Sequence, residues 1–276
     1  MHEAKPMPTP LVASTSLHLG SGSPLFDGSS YWRLLGFMQY LALTCPDLYF
    51  AVNKLSQFMH QPTDAHWQLA KRVLCYLQGT DFHGLLLRPQ LALSLHAYSD
   101  ADWASNHSNC VSTTDYLVVQ GSNPISWHTT KQKAVAWSST KVEYHALAST
   151  ASELVWVHNL LLELGVSGIG SLALFCDNIG ATYLSLNPVL HSCMKHIAVD
   201  LHFVRDLVNQ KILHVSHISS HDQLADSLTK ALSTSHFSSL HSKIGVANNT
   251  SILRGLSKHL YDFSHGGSFN AAFLNA

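Results

Sequence analysis

The chain has 276 residues, 46% of them apolar, and 16 Lys+Arg against 17 Asp+Glu leave a net charge of −1. Only 12% of its residues are charged, where soluble proteins carry about 25%, and the 20 histidines outnumber lysine and arginine together. These numbers exclude a disordered charged tail and a coiled coil, and no window approaches the roughly 18 apolar residues of a membrane span. Taken alone they also argue against a strongly basic nucleic-acid binder.

Residues 1–30, rich in Pro, Ser and Gly, predict an extended arm. Their start has no apolar stretch of the kind a secretory signal needs. The five cysteines (Cys45, Cys75, Cys110, Cys176, Cys193) are odd in number and dispersed, with no C-x-x-C pair. Neither a disulfide framework nor a cysteine zinc site is expected, and an intracellular, non-secreted protein is. From Tyr31 the pattern turns helical, with stops at Pro46, Pro62 and Gly79, so 31–88 reads as a small unit of three helices. Leu34, Leu35, Phe37 and Tyr40 are expected to present an apolar face there.

After Gly84 the texture changes. The stretch ending AYSDAD, then CVSTTDYLVVQG and NPISWHTTKQ, read as strands, the last two joined at Gly121-Ser122-Asn123. A long helix follows from about Ser139 to Leu164, with Leu147, Ala151, Leu154, Leu161 and Leu164 on one face. A strand (SLALFC), helices from about Asn178 and over His196–Asn209, a strand (KILHVSHIS) and a helix from near Gln223 complete 92–232. Antiparallel strands followed by crossovers define an α/β fold, a mixed sheet with helices packed on it. Residues 233–276 show little periodicity and are expected to be a partly ordered tail.

In so acid-poor a chain the placement of carboxylates is informative. Asp100 ends a strand, Glu143 lies one turn into the long helix, Asp177 follows a buried strand, and Asp226 belongs to the last helix. Four such groups converging on one rim, without Lys or Arg nearby, would need a divalent cation, and oxygen ligands favour magnesium or manganese. Each also has a purely structural reading. Thr140…Glu143 fits a capping box, Asp177 a helix N-cap, Asp226 a first-turn acid, and Asp100 or Asp102 a turn residue.

The stretches YSDADWA (98–104), ISW (125–127), SSTKVEYHALA (138–148), CDNIGA (176–181), NPVLHSCMKHI (187–197), HFVRD (202–206) and DQLADSLTK (222–230) resemble the ribonuclease H region of copia-type retrotransposon Pol polyproteins. Upstream, YWRLLGFMQYLALTCPDLYFAVNKLSQFM and HWQLAKRVLCYLQGT resemble the thumb or connection segment that follows the reverse-transcriptase palm. The likeness runs over about residues 6–245.

The resemblance implies a ribonuclease H-like mixed five-stranded sheet with flanking helices, preceded by a small thumb-like helical segment. It implies that Asp100, Glu143, Asp177 and Asp226 are the catalytic, metal-binding set for two magnesium ions, or manganese, held about 4 Å apart. Asp100 would bridge them, Glu143 and Asp177 share one, and Asp226 hold the other. The chemistry implied is hydrolysis of the RNA strand of an RNA–DNA hybrid, recognised by shape and 2′-hydroxyls, with other Pol segments as further partners and no membrane. The same motif selects Asp100 over Asp102 and leaves His221 as a candidate proton shuttle. The palm's Y-x-D-D motif is absent, so a chain opening in mid-polyprotein and unable to synthesise DNA is expected.

Departures from the family pattern share a direction. Trp32, Cys45, Cys75, Cys110, Trp137, His145 and Cys193 stand where arginine is usual, Lys141 for glutamate, Val142 for alanine and Asp115 for glycine. Single C-to-T transitions on either strand produce such changes, which implies a decaying element. Fewer phosphate contacts, strain at Asp115 in a turn, and an electrostatic bias from Lys141 on the acid site are the expected consequences. The alternative to an active nuclease is then an inactive remnant that binds nucleic acid or protein weakly. A histidine-based transition-metal protein is a distant third, because the histidines are dispersed.

Overall fold

The computed structural model describes residues 5–13, 17–89, 93–104, 110–187 and 197–248. The NPVLHSCMKHI stretch, with Cys193, lies mostly outside these residues, as does everything after Asn248.

Three helices open the chain: α1 (Ser29–Ala42), α2 (Pro46–Ser56) and α3 (Asp64–Gly79). Pro46 starts α2 rather than merely ending α1, because a missing N–H costs nothing in a first turn. Thr63 caps α3 by accepting from the His66 backbone N–H, while the His66 ring accepts from the Thr63 N–H. Tyr31, Leu35 and Met38 of α1 interlock with Leu48, Val52 and Leu55 of α2 and with Val73 and Tyr76 of α3. Of the apolar face expected on α1, Leu35 is buried and Leu34 half-buried, whereas Phe37 and Tyr40 are exposed. The arm does not run free, since Leu11 enters this core and Met7 N–H donates to the Cys75 carbonyl.

A three-residue strand, β1 (His83–Leu85), leads to β2 (Leu95–Asp102), β3 (Thr113–Gln120) and β4 (Asn123–Lys131). Gly121, at φ 62°, supplies the left-handed turn between β3 and β4. Then come α4 (Ser139–Glu163), β5 (Leu172–Cys176), α5 (Ile179–Leu186), α6 (Ala198–Asn209) and β6 (Leu213–His217). The main sheet has the order β4-β3-β2-β5-β6. Its first three strands are antiparallel neighbours, while β5 pairs parallel with both β2 and β6.

Alternation along the strands sends side chains to two cores. Leu95, Ala97, Val118, Leu174 and Val215 meet α4, α5 and α6 on one face, where Leu147, Ala151 and Leu154 carry the helical contact. Leu164, expected on that face, is exposed beyond the last helical turn. Gly165, at φ 80°, closes α4 with a Schellman pair: Val166 N–H donates to Leu161 O and Gly165 N–H to Leu162 O.

Leu117 and Val119 face the other side and meet Leu228, Leu240 and Ile244. These belong to α7 (Asp226–Thr229), α8 (Thr234–Lys243) and the turn that follows. The last helix expected from Gln223 is therefore a four-residue turn preceded by a 3-10 turn at Ser220–Asp222. Of the tail expected to be partly ordered from 233, the part as far as Asn248 is packed on the rest of the chain. Phe237 of α8 enters the helical core, and β7 (Val246–Asn248) pairs antiparallel with β1. Helix α2 covers the edge strand β4, where Tyr49 Oη meets His128 Nδ1 at 2.9 Å and Asn53 Nδ2 donates to the Thr129 carbonyl at 3.1 Å. Trp127 Nε1 donates to the Ala42 carbonyl at 3.0 Å on the same seam.

Candidate active site

The C-terminal ends of the parallel neighbours β2 and β5 form one rim, and the start of α4 and α7 close on it from opposite faces of the sheet. Asp100, 1% exposed, shares the face of β2 that carries Tyr98, toward α7. Asp177 follows β5 directly. It is not the helix cap: Asn178 is, its side chain accepting the Ala181 N–H at 3.0 Å. Asp177 is thereby freed, and its Oδ2 accepts the Ser220 hydroxyl at 2.7 Å.

Glu143 is likewise no capping-box residue, because α4 has Ser138 as N-cap and no side-chain cap bond. Instead it turns inward, with Oε2 buried and without a hydrogen-bond partner. The starts of α4 and α5 approach closely, since a Cβ on Gly180 would meet Thr140 Cγ2 at 3.0 Å.

Carboxylate oxygens of Asp100, Asp177 and Asp226 lie within 4.8 Å of one another, and so do an oxygen of Glu143, an oxygen of Asp177 and Cys176 Sγ. The four acids singled out in the sequence thus come together, with Asp177 common to both groups. Burial, then repulsion from Asp100 and Asp177, pushes Glu143 up to about 9. Burial and Asp100 push Asp226 up to about 7, against the pull of Lys230. The Cys176 thiol is held protonated, first by burial and then by Glu143, which makes it a packing group beside the acids.

Three expectations are corrected. The acids do not lack a nearby cation: Lys230 Nζ lies 2.8 Å from Asp226 Oδ1 and 3.2 Å from Asp100 Oδ2. The i,i+4 spacing of Asp226 and Lys230 was the available sequence signal. Asp115 is in no turn; it sits in mid-strand opposite Asp100. It is fully buried with both carboxyl oxygens unpartnered, the nearby Thr129 hydroxyl being donated to the Leu228 carbonyl at 3.3 Å. Burial, then Asp100 and Asp102, raises its pKa well above the carboxylate range, against only a partial pull from Thr129. Lys141 is not among the charges that shift Glu143 or Asp226, and it lines a groove instead. Asp102 belongs to neither acid group and faces Lys54 of α2. His221 is 75% exposed on its side chain, 3.5 Å from Asp222 Oδ1, with its ring 5.7 Å from that of His236.

The groove, of about 620 Å³, runs past the start of α4 and is lined by Lys131, Lys133, Lys141, Trp137, His145 and Asp200, among others. Trp137 is 94% exposed. His145 Nδ1 and Asp200 Oδ2 are 2.8 Å apart, and that hydrogen bond raises the His145 pKa.

Strand order, crossovers and flanking helices define a ribonuclease H-like α/β domain with an acidic cluster at the rim of its sheet. Over most of its length the chain has high-identity relatives among the retrovirus-related Pol polyproteins of copia-type transposons. It is 54% identical over 246 residues, 89% of its length, to the Pol polyprotein from transposon RE2 of Arabidopsis thaliana. It is 33% identical over 90% of its length to that from transposon TNT 1-94 of Nicotiana tabacum. It spans 17% and 19% of those relatives' own length. No family model matches.

Among solved structures, the N-terminal RNase H domain of a Mycobacterium tuberculosis protein fused to maltose binding protein aligns with a TM-score of 0.38 and 11% identity. That alignment covers 55% of this chain and 98% of the other. A foamy viral protease-reverse transcriptase in complex with RNA/DNA hybrid aligns with a TM-score of 0.42 and 11% identity, over 74% of this chain and 26% of that one. At such scores these likenesses carry no weight beside the strand order.

Proposed function

We propose that this chain is a metal-dependent ribonuclease H acting on the RNA strand of RNA–DNA hybrids. The observation that carries the reading is the meeting of Asp100, Asp177 and Asp226 at one rim, with Glu143 joining through Asp177. A divalent ion fits what is present. The donors are carboxylate oxygens, Glu143 Oε2 is buried and unpartnered, and the neighbouring thiol is protonated. Such a set suits magnesium or manganese rather than a thiophilic metal.

Asp100 and Asp226 would hold one ion and Glu143 another, with Asp177 common to both positions. When bound, the metal supplies an activated water and stabilises the leaving oxygen. The protein's own part is orientation: Ser220 fixes the Asp177 carboxylate, and Thr229 Oγ1 donates to Asp100 Oδ2 at 2.7 Å. Glu143 must give up its proton before it can ligate. Lys131, Lys133 and Lys141 of the adjacent groove would contact backbone phosphates, and the Trp137 ring would stack on an exposed base or sugar.

A second reading is favoured by Asp115, an unpartnered buried acid directly beside Asp100. It is a folded but inactive remnant that binds nucleic acid weakly. A hybrid-cleavage assay in magnesium decides between them, comparing wild type with Asp100→Asn. The nuclease reading expects the substitution to abolish most cleavage, with a large part of the RNA strand lost only in the wild-type reaction. Equal rates in the two proteins leave the remnant.

A further inference from the structure

The two halves of the acid site are not equivalent. At one half, Asp226 Oδ1 and Asp100 Oδ2 share the Lys230 ammonium at 2.8 and 3.2 Å, and Thr229 Oγ1 also donates to Asp100 Oδ2. At the other half, Glu143 Oε2 has no partner and Asp177 Oδ2 takes a neutral hydroxyl from Ser220. The backbone explains how Lys230 arrives there. It is the C-cap of α7, extended at φ −129° and ψ 147°, and it donates its N–H to the Asp226 carbonyl at 3.1 Å. That exit turns the stem back over its own helix toward Asp226 and across to β2.

Resting on the metal-site reading above, we propose that Lys230 is a built-in counter-ion occupying the cation position between Asp100 and Asp226, so that a divalent ion enters this half only by displacing its ammonium. A compact ammonium and a small cation compete for the same carboxylate oxygens, and both cannot lie in contact with them. The half formed by Glu143 and Asp177 has no such occupant among the described residues and fills first. Lys230 can leave, because its side chain is 41% exposed while Asp100 and Asp226 are almost wholly buried.

The test is calorimetric titration of the full chain with manganese(II) chloride, with no substrate present, on wild type, Lys230→Gln and Lys230→Arg. Wild type is expected to bind one ion tightly and a second weakly. Lys230→Gln should bind the second at least about tenfold more tightly, within the 10–100-fold range by which outer-shell partners shift metal affinity. Lys230→Arg, which keeps the charge, should stay near wild type.

Thermal unfolding gives an independent readout. Lys230→Gln should melt below wild type in chelator and recover to the wild-type temperature in manganese; failure to recover overturns the proposal. An unchanged or weakened second affinity in Lys230→Gln overturns it too, while leaving the metal site intact. Absence of manganese binding in all three proteins overturns the metal-site reading and this inference with it.

Discussion

Glu143 sits where burial and three other carboxylates oppose its ionisation, and its pKa of about 9 sets the pH response of the metal-free protein. An unfolded glutamate releases its proton near about 4.3. Between those values the folded state holds a proton that the unfolded chain has lost, so stability falls as pH rises through the window. Asp226 acts in the same direction up to about 7. Unfolding in chelator should therefore become easier from about pH 5 to about pH 8, and magnesium or manganese should flatten the trend. Glu143→Gln should make it shallower without metal, leaving the share that Asp226 and Asp115 contribute. A metal-free profile that rises with pH would contradict this electrostatic account.

Asp115 makes a related prediction. Its buried carboxyl has no partner, so Asp115→Ala should stabilise the protein at neutral pH by about 1–3 kcal/mol, the usual cost of an unsatisfied buried polar group. Its raised pKa makes the gain larger at pH 7 than at pH 4, a difference that denaturant unfolding at the two pH values reads directly. At this scale the sequence located all four acids, because carboxylates are few and their motifs long. It did not show Lys230 between two of them. A lysine four residues from an aspartate is ordinary in a helix, and only the proximity of β2 to α7 gives it a second partner.

Among the elements, the loop after β5 decides what Asp177 can do. Asn178 takes the capping task, and Ser220 from the 3-10 turn fixes the released carboxylate. Asn178→Ala should cost about 1 kcal/mol and, by loosening the turn, also weaken manganese binding, as denaturant unfolding and calorimetry on the same protein would show. A stability loss with unchanged metal affinity would mean that Asp177 is held by Ser220 alone. Which of the adjacent Asp177 and Asn178 caps α5 was ambiguous beforehand because Asp and Asn cap equally well. The β-strand and helix order was legible from periodicity. The shortness of α7 was not, since DQLADSLTK has a helical pattern and its ends are fixed by packing against β3 and α2.

The whole molecule is closed by the segment expected to be a tail. Phe237 fills the core of α1–α3, and β7 pairs with β1 between the helical unit and the sheet domain. Deleting residues 233–276 should therefore lower the denaturant midpoint of the entire chain, since loss of one buried Phe side chain alone costs about 3–5 kcal/mol. An unchanged midpoint would show that α1–α3 and the sheet are stable without it. Low charge and abundant histidine, which alone spoke against a nucleic-acid enzyme, bear under the proposed function on how strongly the groove would hold phosphates. Three lysines and one exposed tryptophan line it, and His145 stands opposite Asp200 where an arginine would keep its charge at every pH.

The sequence by itself determined the α/β class, the order of the main strands and helices, and the four carboxylates, because periodicity and long motifs are local properties of the chain. Tertiary structure alone decided that α8 and β7 complete the fold, that Asp115 lies buried beside Asp100, and that Lys230 neutralises one half of the acid site. Each of these depends on which distant segments share a face of the sheet. Burial and electrostatic pairing are set by that arrangement, and no spacing along the chain encodes them.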